Sequence, residues 1–316
     1  RDASVTESDL FATTTLTKQS LHKAACCNLS ESFETSASVD VSYADAVSGA
    51  KQIEMLGLKG TYVQMLTEKI PNVRGISAPF GLTYIPGNWL DGISVSKGAS
   101  SVTTGHESIT GQINASYKKP KDSERLFVNL FAKSNSAVDA NVTTKFNLGG
   151  GWATELFFQG GKNFMEMDDN DDGFLDMSLN NKLVFMNRYH KHGENMHAMA
   201  GYYILDESRT GGQVDYIDDK DNPDLYGMEF DTKRYEVFGK RAFVFNSEKA
   251  YRSFAFLGSG TYHKQDAIFG HRNYEGEQFT AYLNGIYDYE TFDSKHRFDG
   301  GFSIEFDKYE ETLKET

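Results

Sequence analysis

Val138, Ala140, Val142, Thr144, Phe146 and Leu148 occupy one parity of a run whose other parity is Asp139, Asn141, Thr143, Lys145 and Asn147. Strand side chains alternate between two faces, so this run predicts a strand with one mostly apolar and one wholly polar face. Strand-length segments of this kind recur at 125–134, 138–148, 152–161, 179–190, 195–206, 233–245, 251–265, 279–289 and 296–307. The links Gly149–Gly151, Lys191–Glu194, Asn246–Ala250 and Glu290–Lys295 are short, whereas Lys162–Ser178, Glu207–Thr232 and Asp266–Gln278 are long. A soluble sandwich would bury its apolar faces between two sheets, and it gives no reason for short and long links to alternate. An outer-membrane barrel does, with brief turns at one end and extended loops at the other.

The pattern therefore predicts antiparallel transmembrane β-barrel strands, with Val142, Phe146 and Leu148 outward and the polar parity lining the interior. An arginine should then be far better tolerated at Thr143 than at Val142. Trp152, Tyr189, Tyr202, Tyr203, Tyr235, Tyr262 and Tyr287 are candidates for aromatic girdles. Plugged barrels use about 22 strands, and bacterial barrels have an even number. The strands here are thus expected to form part of a larger barrel.

The first third reads differently. Residues 1–16 are polar and predict a mobile lead-in, Thr17 to Ala25 a short helix, and Asn28 with Glu31 a capping box. Strands are expected at Val39–Tyr43, Gln52–Leu58 and Tyr62–Thr67, with a turn at Lys59-Gly60. Pro71, Gly75, Pro79, Gly81, Pro86 and Gly87 mark a looped region. Two alternating segments, Ile93–Lys97 and Gly111–Tyr117, then flank a Gly-, Ser- and Thr-rich link. The division expected is 1–16, a small α/β domain over 17–120, and barrel strands over 121–316.

Composition changes this picture little. No apolar run approaches the roughly 18 to 20 residues of a transmembrane helix, and the mean hydropathy of −0.51 is compatible with a β-barrel, whose strands alternate. A net charge of −13 without a basic stripe argues against nucleic acid as a partner. The opening RDASVTESD lacks the pattern of an export signal, so the chain is expected to begin after processing or truncation.

The stretch ISVSKGASSVTTGHESITGQINASYKKP resembles the end of the plug domain of TonB-dependent outer-membrane receptors, with Lys97, Gly98, Ser101, Gly105, Gly111, Ile113 and Asn114 on the motif. The block from Ser38 to Leu90 is similar to the plugs of a Bacteroidetes-type subgroup; it departs from many family plugs at Leu56, which stands where they carry arginine before glycine. The resemblance covers roughly residues 17 to 120. It implies an active importer of a scarce nutrient, most readily a metal or metal chelate (siderophore, haem, cobalamin or copper), in the Gram-negative outer membrane. The implied partners are the TonB, ExbB and ExbD complex, the substrate and lipid. A passive porin-like channel and a non-transporting surface-binding β protein are the alternatives.

The sharpest local motif lies in the first long loop. Asp168, Asn170, Asp172, Gly173 and Asp176 fall on positions 1, 3, 5, 6 and 9 of a Ca2+-loop pattern, and Phe174 would offer its carbonyl at position 7. Position 12 is Leu179, so the bidentate glutamate is missing. Solvated loop and Ca2+ site are both open readings. His263 and His271 bracket the third long link, and Met165 and Met167 precede the acidic run; these four are candidate substrate contacts. Met186, Met196 and Met199 lie near His190, His192 and His197, where packing and a copper-type site are the alternatives. The adjacent Cys26 and Cys27 leave reduced thiols, a vicinal disulfide or a soft-metal contact open. His106 reads as structural, and no catalytic constellation is present, so an enzyme is not expected.

Overall fold

A computed structural model describes residues 3–6, 13–17, 28–33, 39–45, 47–98, 107–133, 137–193, 196–247, 250–291 and 296–315. The N-terminal unit carries β1 (Ala3–Thr6), β2 (Thr13–Thr17), β3 (Asp40–Asp45), β4 (Ala50–Met55), β5 (Leu58–Lys59), β6 (Val63–Thr67), β7 (Ile70–Pro71), β8 (Leu90–Lys97) and β9 (Gly111–Tyr117). One sheet has the order β1-β2-β8-β9-β6-β7, with β6 and β9 parallel, and β3-β4-β5 form a second. The four-residue helix α1 (Gly81–Tyr84) and short 3-10 turns fill the rest of this small unit. Leu29, Phe33, Ile53, Met65, Trp89, Ile93, Ile113 and Ala115 make its buried core.

Three local expectations change here. Within the region read as a lead-in, β1 and β2 form a hairpin that pairs with β8; these short strands pair through their backbones, which an apolar-periodicity reading does not register. Thr17 ends β2 rather than capping a helix, and residues 18–25 lie outside the described residues, as do Cys26, Cys27 and His106. The turn expected at Lys59-Gly60 sits at Leu56-Gly57 instead, where both residues have positive φ (54° and 76°) as a type I′ hairpin requires.

The remainder is one sheet in sequential order, every neighbour antiparallel: β10 (Leu126–Ala132), β11 (Ala137–Gly149), β12 (Trp152–Asn163), β13 (Leu179–His192), β14 (Met196–Gly212), β15 (Gly227–Ser247), β16 (Ala250–Phe269), β17 (Arg272–Thr291) and β18 (Arg297–Glu315). Each expected segment is one of these strands. The later ones run longer than expected, β15 to 21 residues and β16 and β17 to 20 each. The expected loop 207–232 shrinks to 213–226, which carries the helix α2 (Val214–Asp218), and the expected loop 266–278 becomes a turn at Gly270 and His271. Strict alternation of short and long links is therefore corrected. The added strand length is charged on its outward parity (Asp231, Asp266, Glu275, Glu277, Lys308 and Glu310), so the apolar-against-polar signal fades although the backbone pairing continues.

Burial across this wall is inverted relative to a soluble protein. Asn141 and Thr143 are 0% and 2% exposed, while Val138, Phe146 and Leu148 are exposed. On β18 the outward parity reads Phe298, Gly300, Phe302, Ile304 and Phe306 before turning to Lys308 and Glu310. From 298 to 306, a strand tilted near 45° climbs about 19 Å, and the side chains extend that toward an apolar band of about 25 Å. The polar face meets the N-terminal unit, which lies in the curve of the sheet. Thr143 is therefore packed rather than water-lined, and the expectation that an arginine would be tolerated there is corrected.

Candidate functional site

The surface between the N-terminal unit and the wall holds most of the buried charge of the described chain. Glu68 follows β6 in a left-handed conformation (φ 54°) that turns its carboxylate toward the wall. It accepts hydrogen bonds from the Tyr117 N–H at 3.0 Å, from Arg188 at 3.3 Å and from Lys240 at 2.5 Å. Burial alone would raise the pKa of this carboxyl, but the two cations outweigh it and hold the value near 2. Arg188 is fully buried and also donates to the Lys118 carbonyl at 3.0 Å.

Two further pairs lie higher on the same face. Arg209 donates to Glu207 at 2.9 Å and to the Thr83 hydroxyl at 2.8 Å, and its guanidinium stacks 4.8 Å from the Phe80 ring. Arg234 donates to Asn72 at 2.7 Å and to Glu236 at 3.2 Å. The N-terminal unit returns one arginine: Arg74 pairs with Glu107 at 2.8 Å, with Asp307 at 3.0 Å and with Glu305. Beside it the Ile76 N–H donates to Gln278 at 3.0 Å. Gly75 has φ +59°, a left-handed conformation that favours glycine, and an added Cβ would also push aside the side-chain ends of Gln278 and Tyr309. Apolar contacts complete the seat, Trp89 against Phe157 and Phe80 against Phe230.

Tyr203, expected as a girdle residue, points inward and donates to the Tyr84 carbonyl at 2.6 Å. Tyr203→Phe removes that single bond and keeps the ring. Thermal unfolding in detergent should register a loss of about 1 kcal/mol.

At the end of the wall that carries the long loops, a cleft of about 450 Å3 opens between the two parts. Lys51 and Thr83 line it from one side, Asp139, Lys182 and Arg209 from the other, and Asp176 with Met177 from the loop 164–178. Lys182 donates across it to the Thr83 carbonyl. The acidic motif is thus at the rim of this cleft. Its side chains turn back on their own backbone: Asp168 accepts from the N–H groups of Asp172 at 3.1 Å and Gly173 at 2.8 Å. Asn170 accepts from Asp172 at 3.1 Å, Asp172 from Phe174 at 2.9 Å and Asp176 from Asp169 at 2.8 Å. Gly173 supplies the positive φ of 80°. Among the described residues, no group of three or more His, Cys, Asp or Glu side chains is gathered closely enough to hold a metal.

Met165 and Met167 lie on the same loop, Met165 exposed. His271 is exposed at the turn between β16 and β17. His263, expected to flank the loop at a strand end, lies within β16 because the strand continues to Phe269; it is buried at 1% exposure, its ring 5.9 Å from Tyr84. The charged interface residues were missed by the sequence reading. A signal existed for two pairs, since Glu207 with Arg209 and Arg234 with Glu236 sit two apart in strands and share a face.

A family model described as the TonB-dependent Receptor Plug Domain matches residues 6–112. No curated protein sequence matches the chain. Among solved structures, FpvA of P. aeruginosa bound to heterologous pyoverdines is similar at 14% identity and TM-score 0.76, over 99% of this chain and 44% of that one. BauA, the ferric preacinetobactin receptor of Acinetobacter baumannii, is similar at 10% identity and TM-score 0.61, over 96% and 59%. The copper transporter OprC is similar at 11% identity and TM-score 0.55, over 98% and 61%. The chain thus spans less than two thirds of the length of these proteins. Residues 6–112 are a TonB-dependent receptor plug domain, and the chain carries this plug against nine strands with the fold of a TonB-dependent receptor barrel.

Proposed function

We propose that the chain belongs to an outer-membrane importer of a metal or metal chelate, driven through TonB, ExbB and ExbD. The observation that carries this reading is the plug lying on the polar face of a wall whose apolar face is exposed. A plug so placed obstructs passive flow, which disfavours the porin-like alternative, and an outward apolar band disfavours a soluble surface-binding protein. In this orientation the long loops and the cleft face the exterior and the short turns face the periplasm. The cleft mixes cations and anions and has Tyr43 and Phe131 in its lining, which suits a chelate with charged and apolar parts. Met165 and Met167 on the rim loop and His271 on the turn between β16 and β17, all outside the cleft lining, are proposed as outer contacts of the substrate, and buried His263 would be reached only after plug movement. Accumulation of radiolabelled ferric or copper chelates by cells expressing the full receptor should require TonB. Equal accumulation in TonB-deficient cells would overturn the reading in favour of a passive channel.

Ca2+ in the 168–176 loop is a second part of this proposal. The spacing of Asp168, Asn170, Asp172, the Phe174 carbonyl and Asp176 fits a hard cation, and the existing hydrogen bonds already fold these residues into one tight turn. Bound Ca2+ would supply the positive charge that four closely spaced aspartates, 168, 169, 171 and 172, lack. Calorimetry on the intact receptor should detect binding in the range of about 10⁻⁴ to 10⁻³ M typical of extracellular sites. Asp168→Ala with Asp172→Ala should abolish it; unchanged Ca2+ affinity in that double variant would reduce the motif to a solvated loop.

A further inference from the structure

At the opposite end of the wall from the cleft, β13 ends and β14 begins with a histidine pair. His192 and His197 stand directly across from each other in the antiparallel register. Their ring centroids are 4.4 Å apart with the planes inclined at 44°, and both residues are exposed. By parity they share the inner face with Arg188 and Met199, whereas Lys191 lies on the outer face against Trp152. His190 is on the inner face as well, and its Nε2 is buried with no hydrogen-bond partner.

Neutral imidazoles each offer one nitrogen lone pair, and the backbone pairing holds these two in place before any ion arrives. Two cis nitrogens at about 2.0 to 2.1 Å from one ion stand roughly 2.9 Å apart in the tetragonal geometry of Cu2+ and roughly 3.3 Å apart in the tetrahedral geometry of Zn2+. Rings with centroids at 4.4 Å reach either separation by side-chain rotation. Imidazole suits Cu2+, Zn2+ and Ni2+, while Ca2+ and Mg2+ require oxygen donors. No third His, Cys, Asp or Glu among the described residues closes the set.

We infer that His192 and His197 form a two-imidazole site for a divalent transition-metal ion, Cu2+ in preference to Zn2+, at the turn end of the inner wall. The remaining coordination positions are open to water or to a donor on a passing ligand, so the ion exchanges readily. This inference rests on the pair itself and not on the transport reading.

The test is titration of Cu2+ and of Zn2+ into the intact receptor in detergent, with Cys26→Ser and Cys27→Ser introduced so that thiolates do not compete. The electron paramagnetic resonance spectrum of bound Cu2+ should show coupling to two imidazole nitrogens. His192→Ala and His197→Ala should each weaken binding by roughly tenfold or more, because a chelate becomes a single-point contact. His296→Ala, at another turn, should leave the affinity unchanged. Both paired histidines are exposed, and circular dichroism should confirm that the variants fold as the parent does. An unchanged Cu2+ spectrum and affinity in the double variant, in protein that is folded, would overturn the assignment.

Discussion

Glu68→Gln should loosen the plug from the wall by about 3 to 5 kcal/mol, the usual cost of removing one partner from a buried ion pair. The cost arises at Arg188, which is fully buried and would keep its charge without its carboxylate. Lys240 contributes less, since its side chain is 35% exposed and water can replace the lost partner. Limited proteolysis and thermal unfolding of the receptor in detergent should both report the change. Glu68→Leu combined with Arg188→Met should recover much of the loss, because removing both charges leaves neither one stranded. The same pair predicts an acid response. The Glu68 carboxyl, on the plug and outside the membrane-spanning strands, lies near 2 when seated against 4.5 when free. Its folded value is below its unfolded value, so its contribution is complete above about pH 4.5 and is lost as pH falls from there toward 2. Plug release by acid should show this step in the parent protein and lack it in Glu68→Gln.

Leu283→Arg should impair insertion and assembly, costing about 2 to 4 kcal/mol for a cation at the middle of the lipid-facing band. Leu283 is exposed on β17 midway between Phe279 and Tyr287, and its neighbour across the register is Ile304. Thr312→Arg adds the same charge on the same face of β18, but beyond Lys308 and Glu310, where the band has ended; its effect should be within about 1 kcal/mol. Heat-modifiable migration and yield of folded receptor would separate the two. Equal tolerance of both arginines would mean that the outward face does not meet hydrocarbon.

The wall was legible because its two parities differ in chemistry: Val138 to Leu148 carries apolar and polar residues in strict alternation, and the structure puts the apolar set outside. Where both parities become polar, as at 266–278, alternation carries no information and predicts a loop where the structure has strands. The same extension moves the end of β16 away from His263, which the register buries against Tyr84. The plug was legible by resemblance more than by pattern, since β1 has only four residues, β2 is Thr-rich, and β5 and β7 span only two residues each. The interface charges come from four strands (β13, β14, β15 and β18) and from three loop segments that carry Glu68, Arg74 and Glu107, all far apart in sequence. Only the pairs at spacing two, 207 with 209 and 234 with 236, could have been seen in advance. The acidic loop was legible as a turn, because Asp and Asn side chains capping their own backbone follow from local sequence.

The most direct test of the inverted wall is spin labelling along β17, one site at a time from 279 to 287, in the intact receptor in lipid bilayers with Cys26→Ser and Cys27→Ser. Oxygen dissolves in the hydrocarbon and should broaden labels at Phe279, Ala281, Leu283, Gly285 and Tyr287. Labels at Thr280, Tyr282 and Asn284, which are buried toward the plug, should be shielded from oxygen and from a water-soluble relaxer alike. A period of two with this phase is the predicted result. Oxygen access that is uniform along the strand, or strongest at 280, 282 and 284, would contradict it.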